Sequence, residues 1–552
     1  MAGGSGFDYI IVGGGSAGCL AASRLVRDHR ARVLLIEAGG PDRSPLFRMP
    51  AGFIRFLKGS PHLTFHKLAP QPQLGGRVIE VPQARVLGGG STINGMVYMR
   101  GQPADYDEWA ETTGDPGWGY RHLLPHFTRM EGNQRLNNAF HGVNGPLKVS
   151  DHVSRCAISD AFVAAVQGTG LPFRHDFNGT RQTGVGYMQL TTLRGERCSA
   201  VRAFLTPVMN DPGLTIATGC LVTRILFEGL RAVGVEYATA AGQTVSARAE
   251  SEVVLAAGAY ATPKLLMLNG IGPAAQLARH GIGVRVDLPG VGENLQDHHE
   301  VPIFAATTGH YGYYGEDRGW RLLRNGLQYL LFRTGPVTSN GVEACAFFNP
   351  DSAEQDARLK LYCVPTIYLD RGMTAVQPTD GLTLNACLLR PKARGTVSLA
   401  SADPRALPVI DPRYLTDPED VRLSVAGLRF AREVLAQDPL RALVRGEIHP
   451  GTAVASDDAL AAHCRAMVKT NYHPVGTCRM GRDDDPMAVL TPEMRVRGVE
   501  GLRVLDASAM PNVVSGNTNA PVMAMADRGV ALMMGESPLP PVPLPNALPA
   551  AA

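Results

Sequence analysis

Charge is scarce in this sequence, and what there is nearly balances. Charged residues make up 19% of its 552 positions and leave a formal charge of +3. No run of basic residues is interleaved with aromatics, so a nucleic-acid partner is not expected. Long hydrophobic runs are also missing. No stretch of about 18 uninterrupted apolar residues occurs, and no transmembrane segment is expected. The opening MAGGSGFDYI has no basic region followed by an apolar one, which argues against a secretory signal. The nine cysteines are scattered without a CxxC pair, a pattern of free thiols in the cytoplasm rather than of a disulfide framework. His62 and His66 stand four apart with no further cluster of ligand side chains, so no metal is expected.

Apolar residues and glycine are abundant instead, at 45% and 62 positions, enough for two or more cores in a multidomain enzyme. The most informative stretch lies near the start. Tyr9-Ile10-Ile11-Val12 is an apolar run without alternation, as in a strand buried on both faces. Gly13-Gly14-Gly15-Ser16-Ala17-Gly18 then makes a tight turn into a helix, and Val33-Leu34-Leu35-Ile36 forms a second strand ending in Glu37. Glycines at 13, 15 and 18 let backbone approach a pyrophosphate, and the free amides of Ser16 and Ala17 at the helix start attract that anion. Glu37, nineteen residues after Gly18, is placed to accept hydrogen bonds from an adenosine ribose. Strand, glycines, helix, strand and acid in register predict a dinucleotide site.

A second glycine-rich stretch, RVLGGGSTIN from Arg85 to Asn94 and on through Gly95, offers another place where backbone can press against a ligand. With Tyr98-Met99-Arg100-Gly101, Asp105 to Trp109 and Gly117-Trp118, it resembles the glucose–methanol–choline (GMC) oxidoreductases, which are FAD enzymes. The resemblance covers roughly residues 7 to 535. It implies that Arg85, Gly90, Ser91, Asn94, Gly95, Met96 and Val97 line the flavin, and that Val222 meets the adenine through its backbone. Some members bind FAD covalently through a histidine just before the Asn. Ile93 stands there, so a non-covalent flavin is expected. The segment 261–272 resembles the second family signature but carries Asn269 where serine is usual, a residue expected to cap or turn the helix end and able to take left-handed geometry. His298 and His299, in NLQDHH, read as structural.

The C-terminal NYHPVGTCRMG resembles the family's catalytic-histidine motif and makes His473 the expected base, with Tyr472 beside the cofactor. Asp506, Ala507, Asn519 and Pro521 complete the implied cofactor set. Asn517, 44 residues after His473, is the expected second catalytic residue, and Asn519 in the same GNTNAP run competes with it. Removing hydride from an alcohol carbon requires the hydroxyl proton to leave too, and a neutral imidazole can take it.

The fold expected is α/β: a Rossmann-like FAD domain from residues 1–150, 199–300 and 465–536, with an α+β substrate domain from 151–198 and 301–464. Residues 41–74 read as loop, 151–198 as a polar, loop-rich insertion, and 537–552 as a disordered Pro/Ala-rich tail. The reaction expected is oxidation of a small primary alcohol, with electrons leaving to a quinone-like carrier. Oxygen as acceptor, and a non-redox lyase or photodecarboxylase on the same fold, are the alternatives. HGVNGPLKVSD, RGERCSA and TGPVTSNGVEA resemble choline, L-sorbose and polyethylene glycol dehydrogenases, and nothing in the sequence specifies an oligomer.

Overall fold

Two seven-stranded sheets organise the chain. The computed structural model describes residues 6–369 and 376–543. The first sheet runs in the order Leu214–Thr218, Val33–Glu37, Phe7–Val12, Thr244–Leu255, Arg231–Ala238 and Leu221–Glu228, and Leu502–Val504 pairs with Thr244–Leu255. Phe7–Val12 is parallel to both neighbours, Val12 facing Ile36 on one side and Leu255 on the other. Every residue of Val33–Glu37 is buried, which is why that run is apolar without alternation. The long strand Thr244–Leu255 serves two pairings. Its first half joins an antiparallel meander and its second half lies against Phe7–Val12.

The Ser16–His29 helix crosses from the first strand to the second and packs on the C-terminal Asn519–Met534 helix. Arg24, 5% exposed, fastens the two by donating to Asp527 O at 2.9 Å.

The second sheet is antiparallel, in the order Val444–His449, His299–Thr307, Gly381–Leu388, Leu359–Val364, Ala344–Phe348 and Gly184–Tyr187. Pro418–Leu435 packs across it. Lys469–Thr470 also belongs here, pairing with His299 and Glu300. A few residues later Gly476 N donates to Ala507 O at 3.1 Å and Cys478 N to Ser508 O at 2.8 Å, on the first-sheet side. The segment carrying His473 therefore crosses from one domain to the other.

Several local expectations need correction. Residues 41–74 are not all loop: Leu63–Lys67 pairs with Glu80–Ala84, and Leu68 and Leu74 enter the core of the second sheet. Residues 151–198 contain the Ala157–Gly168 helix, whose Ile158, Phe162 and Val166 are buried, and a strand of the second sheet. Asn269 does cap its helix as expected, though at φ −102° rather than in left-handed geometry. Its side chain does the capping, accepting from Ile225 N at 2.8 Å and donating to Leu265 O at 2.8 Å, while Gly270 takes the positive φ. In the tail, Val542 N is held by Arg121 O at 3.0 Å, and residues 544–552 lie outside the described residues.

Candidate active site

The dinucleotide turn and the second glycine stretch form one wall. Gly13 turns at φ +109°, where a Cβ would lie 2.3 Å from Ala256 O, and a Cβ on Gly18 would lie 2.0 Å from Gly13 O. Gly88 N donates to Gly14 O at 2.6 Å. A Cβ on Gly89 would lie 2.8 Å from Gly15 Cα, so only glycine allows the two turns to close on each other. Gly90 instead faces open space.

Beside this wall two helices begin at the same point. Ser16 Oγ donates to Asn519 Oδ1 at 2.7 Å, at the first residues of Ser16–His29 and Asn519–Met534. Neither start has a side-chain cap, and Ala17 and Pro521 are buried in the first turns. Two sets of free amides, each at the positive end of a helix dipole, converge on one place and fit a diphosphate.

Glu37 stands at the other end of its strand, 8% exposed, and accepts from Gly14 N at 2.8 Å and Gly39 N at 2.7 Å. Burial pushes its carboxyl up from the usual range, against the two amides and Arg85. Arg85 itself is exposed at the rim. Cys220 N donates to Glu37 O at 2.9 Å, which brings Val222, two residues on, into the same corner.

In the second stretch the side chains are largely committed within the protein. Ser91 Oγ donates to Gly88 O at 2.6 Å and accepts from Ala200 N at 2.9 Å, so it pins the loop. Asn94 Oδ1 accepts from Met96 N at 3.0 Å and from Arg197 Nη1 at 2.8 Å. Met96 turns at φ +59°, Val97 follows it, and Gly95 O accepts from Asn340 Nδ2 at 2.6 Å. Asp506 is tied by Gly258 N, Thr262 Oγ1, Ser508 N and Ser508 Oγ at 2.6 to 2.8 Å. With its four acceptor sites used, its part is to hold Ala507 and the following turn in place.

Arg197 was not singled out from the sequence. It is 2% exposed, its Nη2 is buried without a hydrogen-bond partner, and burial pushes its guanidinium down to about 9. An orphaned cationic donor against the Ser91–Asn94 loop, the glycine wall and the paired helix starts together fit a flavin dinucleotide with its anionic linkage. The readable signal for Arg197 was its place in RGERCSA.

The catalytic candidates meet where the domains join. His473 Nε2 lies 3.2 Å from Asn517 Nδ2, and His473 Nδ1 lies 2.9 Å from His298 Nδ1. His298 Nε2 lies 2.8 Å from Leu389 O, and Lys360 Nζ lies 3.3 Å from Asn517 Oδ1. Both ends of this chain have a fixed sense, because an ammonium only donates and a carbonyl only accepts. Lys360 donates to the Asn517 carbonyl, so the Asn517 amide faces His473 Nε2. His298 donates to Leu389 O, so its Nδ1 must accept from His473 Nδ1–H. The lone pair of His473 is thereby directed from Nε2 toward Asn517.

Burial drives His473 well below its ordinary pKa, and His298 and Lys360 push the same way. Burial likewise lowers His298 to about 4. Both imidazoles are neutral at pH 7. The backbone of His473 is held by Asp297, whose Oδ1 accepts from its N–H at 2.8 Å while Oδ2 accepts from Tyr414 OH at 2.5 Å and Thr470 Oγ1 at 2.6 Å. Tyr472, one residue earlier, sits at φ +64°, an uncommon geometry for a non-glycine residue that this anchoring sustains.

The structure separates Asn517 from Asn519: the first meets His473, and the second binds Ser16 where the two helices begin. It also corrects the reading of His298, which touches His473, while His299 points to Ser424 at 3.4 Å. Lys360 escaped notice, although a lone charge in the buried strand LKLYCV was legible. Glu343 is buried and held by Tyr313, Ser339 and Cys156. Among the described residues no cluster suits a metal, and no helix is long and apolar enough to cross a membrane.

A flavin site joined to an imidazole–amide pair across a two-domain seam defines a flavoprotein oxidoreductase. Comparison with known proteins agrees: GMC oxidoreductase family models match residues 7–300 and 391–526, and the chain belongs to that family. It is 41% identical over 535 residues to an alcohol dehydrogenase [acceptor] of Pseudomonas putida, covering 96% of each chain. It is 40% identical over 536 residues to an oxygen-dependent choline dehydrogenase of Brucella canis, again covering 96% of each. Among solved structures, pyridoxine 4-oxidase from Mesorbium loti superposes with a TM-score of 0.86 at 31% identity, covering 95% of this chain and 98% of that one. An FAD-dependent oxidoreductase from Chaetomium thermophilum gives 0.87 at 28%, covering 96% and 99%. The protein is an FAD-dependent alcohol-oxidising enzyme of this family.

Proposed function

We propose that the enzyme oxidises a primary alcohol to the aldehyde, with His473 as general base and Asn517 holding the alcohol oxygen. The observation that carries this is the polarised chain from Lys360 to Leu389 O, which leaves the lone pair of His473 Nε2 facing an amide donor. An alcohol oxygen between the two accepts from Asn517 Nδ2 and donates its proton to His473 Nε2. A strong base is unnecessary, because the hydroxyl becomes acidic as hydride leaves its carbon. A His473 held neutral by burial is ready to act at physiological pH. Bound FAD supplies the hydride acceptor at flavin N5. Ile93, at the position where a covalent link would need a nucleophile, leaves the cofactor non-covalently held. Electrons then pass to an external acceptor, a quinone-like carrier. The nine cysteines, all unpaired, support a cytoplasmic location.

The test is anaerobic mixing of the purified holoenzyme with a panel of alcohols, followed by air. Bleaching of the oxidised flavin band by a primary alcohol is expected, with slow recovery in air and rapid recovery with an added quinone. Fast recovery with peroxide would assign oxygen as the acceptor, and no bleaching by any alcohol would overturn the reading. His473→Ala should retain FAD and lose about 10²–10⁴-fold in reduction rate.

A further inference from the structure

The Gly319–Phe332 helix is built inside out. Of its 14 residues only Asn325 and Tyr329 are buried, and both carry polar groups. Asn325 Nδ2 donates to Glu316 O at 3.0 Å and Glu316 Oε2 at 2.7 Å. The large apolar side chains face away: Trp320 is 67% exposed, Leu323 67%, Leu327 49%, Leu330 61%, Leu331 70% and Phe332 70%. A surface helix that packs only against its own domain turns such a face inward. Apolar exposure this continuous marks an interaction surface.

The charges around it choose the partner. Residues 316–333 hold four arginines, at 318, 321, 324 and 333, against two carboxylates, Glu316 and Asp317. The arginine side chains remain 37% to 70% exposed even where they pair with those acids or with Glu196. Arg55 on the short Phe53–Leu57 helix and Lys58 just after it add exposed positive charge, Lys58 lying 3.9 Å from Asp317. A second copy of the chain is a poor fit by area. A helix of 14 residues is about 21 Å long and about 10 Å wide, so two such faces bury roughly 400 Å², well short of the roughly 1,200 Å² of a stable interface. A bilayer needs no complementary shape, and tryptophan, leucine and phenylalanine with a basic rim are what its interface accepts.

We propose that the Gly319–Phe332 helix docks the enzyme on an anionic membrane surface, its apolar face at the boundary between headgroups and acyl chains. The placement suits the chemistry. From Phe332 the chain runs through the Pro336–Thr338 turn to Asn340, whose amide holds Gly95 O in the flavin-facing loop. A docked helix thus sets that loop beside the bilayer, where a lipid-dissolved acceptor resides. Docking does not depend on the alcohol reading; only the use of such an acceptor does.

The three tryptophans make the test direct, because Trp109 and Trp118 are 0% exposed and Trp320 alone can report. Holoenzyme is mixed with vesicles of phosphatidylcholine and phosphatidylglycerol and followed by flotation and by tryptophan emission. We expect co-flotation, a blue shift and protection from an aqueous quencher, all weaker with phosphatidylcholine alone. The double variant Leu323→Glu, Leu330→Glu should keep its flavin spectrum and its reduction by a soluble alcohol while losing at least about tenfold in vesicle binding. A parent enzyme that stays in the vesicle-free fraction with unshifted emission overturns the proposal, as does a double variant that binds equally. A parent dimer in light scattering that this variant converts to monomer gives the face to a second copy and also overturns it. Because flotation needs no turnover, failure of the alcohol assay and failure of docking are read separately.

Discussion

Lys360→Met tests whether the polarity of the catalytic chain is set from its cationic end. Lys360 is 5% exposed, donates to Asn517 Oδ1 at 3.3 Å, and lies over the rings of Tyr362 and Phe347 at 5.3 and 5.8 Å. Glu300, the nearby carboxylate, is occupied by Lys469 at 2.6 Å, Tyr362 at 2.5 Å and Asn471, so it does not take the Lys360 charge. Methionine keeps the volume and removes the donor. Without it the Asn517 amide can turn over and present its carbonyl to His473, which reverses the tautomer and takes the lone pair away from the substrate. A hydrogen bond to a charged group contributes about 1.5–3 kcal/mol, and each 1.4 kcal/mol of barrier is about tenfold, so reduction should slow about 10- to 100-fold.

The same variant moves the pH profile. Lys360 is one cause of the low pKa of His473, and its removal lets the imidazole protonate more readily. Protonated His473 cannot accept the hydroxyl proton, so the acid limb of the rate should shift to higher pH. Anaerobic stopped-flow reduction at saturating alcohol across pH reads both effects. Lys360→Arg, which keeps a charged donor, should hold the acid limb near that of the parent. An unchanged rate and an unchanged limb in Lys360→Met would refute the reasoning.

His298→Ala removes the acceptor that fixes His473 Nδ1–H, and a loss of about tenfold in reduction rate with FAD still bound is expected from one net hydrogen bond. Gly89→Ala puts a Cβ 2.8 Å from Gly15 Cα at φ +52°, so the glycine wall should open and FAD content, measured by absorbance after gel filtration, should fall. Burial holds His152, His298 and His463 at about 4 and His299 at about 3, below the unfolded value near 6.5. The unfolded chain takes up protons first, so these residues' contribution is complete above about pH 6.5 and is lost as pH falls toward 4, at about 1.4 kcal/mol per residue per unit. Melting temperature against pH should show that decline, and His299→Gln, at a position whose Nδ1 is already unpartnered, should flatten it.

The parts of the molecule legible in sequence are those whose physics is local. Tyr9 to Glu37 announces strand, turn and helix because burial on both faces, glycine geometry and anion-binding amides each act over a few residues. The motif around His473 was legible by likeness alone, since one imidazole in an apolar setting has no local signature of catalysis. The Leu63–Lys67 hairpin was missed because Pro and Gly punctuate the run around it, while the pairing itself depends on a partner strand at Glu80–Ala84 that carries Pro82 at its centre. His298 was misread for a similar reason. Its neighbour His473 is 175 positions away, and its own apolar surroundings are those of any buried histidine.

The choice between Asn517 and Asn519 shows where pattern ends and geometry begins. Both stand in one GNTNAP run, and composition treats them alike. Asn519 is the first residue of the C-terminal helix, and its side chain shares the helix start with Ser16. Asn517 lies two residues earlier, in irregular backbone before the helix, and its amide points to His473 instead. A two-residue step across a helix boundary thus divides one motif between the paired helix starts at Ser16 and the side chain of His473. The start of the Asn519–Met534 helix accordingly sets the spacing between Ser16 and His473. Ser515, two residues before Asn517, donates to Asp105 through N at 2.7 Å and Oγ at 2.8 Å, which fixes the backbone leading to that step.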